Sequence, residues 1–83
     1  MIIETKLLCA EHPEEGVEAE QVWLNFSFKL QDISYIRELA NKEDFIYSDR
    51  CEIDINGDGY VIAIGYDEML KKWKHSKTLM NIN

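Results

Sequence analysis

The chain has 83 residues, of which 46% are hydrophobic and one is proline, a composition typical of a folded domain and not of a disordered segment. A domain of this size hides only about 60% of the surface that its unfolded chain exposes, which leaves little interior for a deep substrate pocket. The net charge of −7 disfavours direct binding to nucleic acid and favours contact with a basic protein surface. We therefore expect residues 1–83 to form one small domain, with fraying confined to the last few residues.

The cysteines and the N-terminus bear on the cellular compartment. Cys9 and Cys51 are too few for the disulfide framework that small secreted domains usually need. Residues 1–6 lack the basic start and the apolar run of a signal peptide, and no apolar stretch approaches the roughly 20 residues that cross a bilayer. We expect a cytoplasmic protein that does not bind membranes.

The first part of the chain predicts two strands joined by a polar loop. Residues 2–9 begin with β-branched side chains and predict a strand. Residues 11–16 contain a proline and a glycine, which are typical of a loop. Residues 22–30 carry the clearest pattern, because apolar residues alternate there with mostly polar ones, as in a strand with one buried face.

A helix is predicted next. Asp32 is suited to cap its N-terminus, and Ile33, Ile36, Leu39 and Ala40 follow at helical spacing. Glu38 lies four residues before Lys42, a spacing that supports a helix through an ion pair, and Asn41 marks the predicted end.

The second half predicts two more strands and a second helix. Residues 45–55 alternate like a strand, and Asn-Gly-Asp-Gly at 56–59 predicts a turn because asparagine and glycine accept a positive φ. Residues 60–66 predict the fourth strand. Asp67 then caps a second helix, whose apolar face consists of Tyr66, Met69, Leu70, Trp73 and Met80.

The resulting element order, ββαββα, predicts an α+β fold in which a four-stranded, mostly antiparallel sheet carries both helices on one face. A sheet with an open face and a free edge often pairs with another molecule, so a homodimer is as well supported as a monomer. The second face of the sheet is predicted to carry Trp23, Asn25, Ser27 and Lys29, joined by Val61 and Ala63.

Residues 54–61 resemble the first half of the calcium loop of EF-hand and dockerin domains. Asp54, Asn56 and Asp58 match ligand positions 1, 3 and 5 of that loop, and Gly59 matches the glycine at position 6. Position 12 should supply a bidentate acid but is Gly65, and the flanking residues alternate like strands. We interpret the segment as a hairpin turn without metal or cofactor, and keep calcium binding by this loop as a second hypothesis.

The cysteines and histidines give a third hypothesis, a small metal-dependent or thiol-dependent enzyme built on Cys9, His12 and Cys51. With His75 they reach the four ligands of a structural zinc site, but without the spacing of a zinc finger. Cys9 would also need a base to lower its pKa before it could act as a nucleophile. Because the sequence contains neither a glycine-rich phosphate loop nor a Gly-x-Ser-x-Gly motif, we expect no catalysis.

Five glutamates fall within residues 11–20, a pattern typical either of a solvated loop or of an acidic arm that meets a basic partner. Trp23 lies on the other face of its strand from the alternating apolar residues, and tryptophan is enriched at interface hot spots. Our first hypothesis is therefore a non-catalytic protein-binding module that docks on a basic protein, such as the small acidic regulators, inhibitors or immunity-type proteins of phages and mobile elements. The residues predicted to contact the partner are Glu14, Glu15, Glu18, Glu20 and Trp23.

Overall fold

The computed structural model describes residues 1–11 and 20–80, and the side chains of residues 1–9 and 21–76. The described part forms one five-stranded sheet and one α-helix. All of the strand pairs are antiparallel, and the strand order across the sheet is β2-β1-β5-β4-β3. The elements are β1 (Ile2–Glu11), β2 (Glu20–Lys29), a 3-10 turn (Leu30–Asp32), β3 (Ile33–Ala40), β4 (Ile46–Ile55), β5 (Asp58–Ile62) and α1 (Tyr66–Met80).

The predicted architecture of four strands and two helices is wrong, because the first predicted helix is β3. The pairing of β3 with β4 shifts register twice, once after Ile33 and once after Glu38, and such shifts are β-bulges that place an extra residue in one strand. Ile33 and Ile36 therefore point to the same face although they are three residues apart. This spacing imitates the period of a helix, and Asp32 lies in the 3-10 turn instead of capping one.

The strand predicted at residues 22–30 is confirmed as β2, and the predicted strands at 2–9 and 45–55 are confirmed as β1 and β4. The turn between β4 and β5 is confirmed as well. Asn56 and Gly57 have φ values of 54° and 90°, the pair of positive values that a type I′ hairpin turn requires.

The second predicted helix is confirmed as α1, although it begins at Tyr66, so that Asp67 lies in its first turn. The strand predicted at 60–66 ends earlier, since β5 stops at Ile62. Gly65 makes the connection possible because a Cβ on it would lie 2.2 Å from the backbone oxygen of Ser48. Only glycine allows so close an approach between the start of α1 and the start of β4.

The helix packs on one face of the sheet, where it contacts β3, β4 and the 3-10 turn, and residues paired across neighbouring strands share that face. Ile3, Phe28 and Leu30 contribute to the core from the β1–β2 side. The remaining buried hydrophobic residues are Ile33, Cys51, Ile53 and Ile62 from the other strands and Met69 from α1. We call this side of the sheet the covered face and the opposite side the open face.

The β1–β2 hairpin joins the rest of the described sheet through a short pairing with β5. β1 meets β5 where Leu7 lies opposite Ile62, and the Ala63 amide donates to the Lys6 carbonyl over 2.9 Å. Leu7 is the last residue of β1 with a partner in β5, so within the described residues 8–11 and 20–23 pair only with each other; we call this two-stranded ribbon the arm. The Cα radius of gyration is accordingly 14.7 Å, above the roughly 12 Å expected of a compact chain of this length.

Candidate functional site

Trp23 lies on the open face, as the sequence predicted. Its register partner is Leu8, and both side chains point away from the face that carries Phe26 and Phe28. Phe28 is buried in the hydrophobic core and Phe26 packs half-buried against it, whereas Trp23 is half-buried on the open face. The alternation in β2 therefore separates a core face from an accessible face within one strand.

Arg50 partly covers Trp23. Its guanidinium carbon lies 5.2 Å from the Trp23 ring centroid and 4.5 Å from that of Tyr47, both within the range of a cation–π contact. Asp49 accepts two hydrogen bonds from the guanidinium, over 3.1 and 3.2 Å. These bonds raise the pKa of Arg50 and lower the pKa of Asp49. We call Trp23, Tyr47, Asp49 and Arg50 the Trp23 cluster; it joins the arm to β4.

A second polar group lies on the open face at the opposite edge of the sheet. Glu52 forms an ion pair with Arg37 over 2.7 Å and accepts a hydrogen bond from the Tyr35 hydroxyl over 3.1 Å. That hydrogen bond raises the pKa of Tyr35. Gly59 lies close to Glu52, since a Cβ on it would stand 3.2 Å from Glu52 Oε1. Glu52 is thus held in place by partners from β3 and has room above β5.

In the loop that resembles a calcium site, the first candidate ligand, Asp54, forms hydrogen bonds within the protein. Asp54 is buried, and its carboxylate accepts hydrogen bonds from the Ser34 hydroxyl and from the Gly57 amide. Asn56 lies in the turn and Asp58 begins β5. In the described part of the chain, no group of three or more His, Cys, Asp or Glu residues is arranged to hold a metal ion. Asp54 therefore stabilises the hairpin turn through these contacts.

The two cysteines lie on the covered face and are free thiols. Cys51 has no exposed surface, and its burial raises the pKa of the thiol to about 11. A thiol with so high a pKa stays protonated at neutral pH and is a poor nucleophile or metal ligand. Cys9 is half-buried at the root of the arm, and His12 lies outside the described residues.

Most of the predicted acidic contact residues fall outside the part of the chain that the structure describes. Glu14, Glu15 and Glu18 belong to residues 12–19, and for Glu20 only the backbone is described. The register nevertheless places Glu20 directly opposite Glu11 at the end of the arm. Two acidic positions therefore face each other across the ribbon, a few residues from Trp23.

Sequence reasoning did not anticipate that Tyr47 and Arg50 meet Trp23. The contact joins β2 to β4, which are separated in the sheet by β1 and β5. The spacing of residues within one strand cannot reveal such a contact. The signal that the sequence did offer was an arginine, Arg50, within a strand of alternating apolar residues. The open-face positions of Asn25, Ser27 and Lys29 are confirmed by their register with Lys6, Glu4 and Ile2.

The comparisons with known proteins gave no match: no family model fits the chain, and no curated protein or solved structure is significantly similar to it. In the described residues, no helix has both the length and the hydropathy of a membrane span.

Proposed function

We propose that the protein is a non-catalytic protein-binding module that docks on a basic partner through its arm and the adjoining open face. It would act in the cytoplasm as a small acidic regulator, inhibitor or immunity-type protein, of the kind that phages and mobile elements encode. The observation that carries this proposal is the Trp23 cluster, in which Trp23 lies on the open face and contacts the guanidinium of Arg50.

The composition of the Trp23 cluster supports a role in binding. Tryptophan, tyrosine and arginine are the residue types most enriched at interface hot spots. Arg50 contacts both aromatic rings and is hydrogen-bonded to Asp49. Because these contacts already restrict the side chains, a partner that docks on them loses less conformational entropy than it would on mobile side chains.

The charge of the arm supports a basic partner. Residues 11–20 contain five glutamates and neither lysine nor arginine, and Glu11 lies opposite Glu20. An acidic surface accelerates encounter with a basic protein, more strongly at low salt than at high salt.

The experiment is an affinity capture from a lysate of the native host, with the tagged wild-type chain, Trp23→Ala and a matched aromatic control. Phe45→Ala is the control because Phe45 is 66% exposed and lies in the turn before β4, in neither the arm nor the Trp23 cluster. We expect the wild type and Phe45→Ala to capture the same basic protein and Trp23→Ala to lose it. Equal capture by all three chains would contradict the proposal.

Charge reversal tests the electrostatic part separately. Glu14→Lys combined with Glu15→Lys should slow association with the captured partner and reduce the salt dependence of the association rate, while the dissociation rate changes less. If the association rate at low ionic strength is unchanged, the acidic residues are not part of the binding surface.

A further inference from the structure

In the part of the chain that the structure describes, no strand pairs with the outer edge of β2. Among the described strands β2 pairs with β1 alone, in a register that runs without a shift from Ile2 opposite Lys29 to Glu11 opposite Glu20. Residues 21–28 contain neither a charge nor a proline. A long, regular and uncharged edge is a template for pairing with another strand, which proteins normally block with charges, prolines or bulges.

The opposite edge shows those protections. β3 carries two register shifts against β4, and Arg37 and Glu38 are charged and exposed at its centre. Bulges and charges of this kind prevent edge-to-edge pairing. The difference singles out β2 as the edge that is suited to accept a strand.

Two hydrogen bonds show which backbone groups of β2 point towards the free edge of the sheet. The Lys6 carbonyl accepts from Ala63, so Lys6 directs its backbone towards β5, and the Leu30 amide donates to Met1, so Leu30 directs its amide towards β1. In antiparallel strands the N–H and C=O of one residue point to the same side, and the side alternates along the strand. Asn25, which lies opposite Lys6, therefore presents its N–H and C=O to the free edge, as do Trp23 and Ser27.

We propose that β2 pairs in antiparallel fashion with β2 of a second copy of this chain, about a two-fold axis at Asn25. This axis sets Asn25 opposite its own counterpart, Trp23 opposite Ser27, and Gln21 opposite Lys29. Lys29 then lies opposite the uncharged Gln21, so no like charges meet across the edge. A parallel arrangement would instead bring each Lys29 next to the other Lys29.

The side chains of β2 are complementary in this register. On the covered face, Leu24 is 52% exposed in the single chain and comes to lie opposite Phe26 of the second copy, while Val22 lies opposite Phe28. Directly opposed apolar pairs stabilise antiparallel strands. The product is a continuous ten-stranded sheet with both helices on one face and both Trp23 clusters on the other, so that the dimer presents two binding surfaces in the same direction.

The test is the molar mass of the full chain in sedimentation equilibrium. Asn25→Pro removes one outward N–H, a change that an edge strand tolerates because that N–H makes no bond to β1. Asn25→Thr is the matched control. We expect twice the chain mass of 9.8 kDa for the wild type and Asn25→Thr, and the single chain mass for Asn25→Pro. A wild type that stays monomeric at millimolar concentration, or an Asn25→Pro variant that dimerises as the wild type does, overturns the proposal.

A second variant covers the case in which the proline prevents folding. Asn25→Lys keeps every backbone group and places two lysines opposite each other at the axis, so it should be folded by circular dichroism and monomeric. A folded Asn25→Lys variant with undiminished dimerisation overturns the proposal.

The position of the axis is tested by oxidative cross-linking in a Cys9→Ser background. Asn25→Cys should form a disulfide between copies, because directly opposite residues have Cα atoms about 5.5 Å apart. Ser27→Cys should not, because its counterpart lies four residues away along the strand, about 13 Å distant. Cross-linking through Ser27→Cys but not through Asn25→Cys overturns the register.

Discussion

The two faces of this sheet are built from the same strands and differ in what lies above them. On the covered face, Ile53 and Ile62 have no exposed surface and pack with Met69 of α1. On the open face, the register partners Val61 and Glu52 remain partly accessible. Successive residues of one strand thus lie in different environments. Substitutions at neighbouring positions can therefore test stability and recognition separately.

The largest expected contrast is between two adjacent residues of β5. Ile62→Ala leaves a cavity in the core and should lower the free energy of unfolding by about 2–5 kcal/mol. Val61→Ala removes a half-exposed side chain from the open face and should cost about 1 kcal/mol or less. Urea unfolding with a shared m-value measures both. Equal losses would break the distinction between the faces.

The glycines give a second contrast. Gly65→Ala brings a Cβ to 2.2 Å from the Ser48 backbone oxygen, and relief requires movement of α1 against β4 at about 1–3 kcal/mol. On the open face, Gly59→Ala meets the flexible end of Glu52 at 3.2 Å, which can turn aside at little cost. Thermal unfolding of both variants checks this order, and a Gly59→Ala variant that is the less stable of the two would contradict it.

These contrasts also show what the sequence made predictable. The alternation in β2 and the Asn56-Gly57 turn are local signals, and both led to correct elements. β3 was mistaken for a helix because its bulges depend on pairing with β4, which no local pattern of β3 alone contains.

The candidate site also has one feature that the sequence predicts and one that it does not. The open-face position of Trp23 follows from the period of its own strand, whereas its contact with Arg50 depends on the order of strands across the whole sheet. Single-strand periodicity therefore predicted which face a side chain occupies but not which side chains meet there.

The covered face should also respond to alkaline pH through Cys51. The thiol pKa is about 11 in the folded protein, compared with an ordinary value of 9.0. The contribution of the protonated Cys51 thiol to the free energy of unfolding is complete below about pH 9. It is lost as the pH rises towards 11, because the unfolded chain releases the proton first. Urea unfolding over this pH range should show the decline in the wild type and a smaller decline in Cys51→Ala. An identical decline in both chains would show that other groups cause it.

The smallest expected effect concerns the open-face network. Glu52→Gln removes the ion pair with Arg37 and should change the unfolding free energy by less than about 1 kcal/mol, because the Arg37 side chain is 62% exposed and solvent screens the pair. It should also lower the pKa of Tyr35, which the Glu52 carboxylate raises. Tyrosinate absorbance during an alkaline titration follows this change, and a large loss of stability would mean that the network serves the fold instead of the surface.

The central claim is that a partner protein covers the Trp23 cluster on the open face. Hydroxyl-radical footprinting of the captured complex, compared with the chain alone, tests it residue by residue. We expect Trp23 and Tyr47 to become protected in the complex and Phe45, in the turn before β4, to remain as reactive as in the free chain. Protection of Phe45 with unchanged labelling of Trp23 and Tyr47 would contradict the claim.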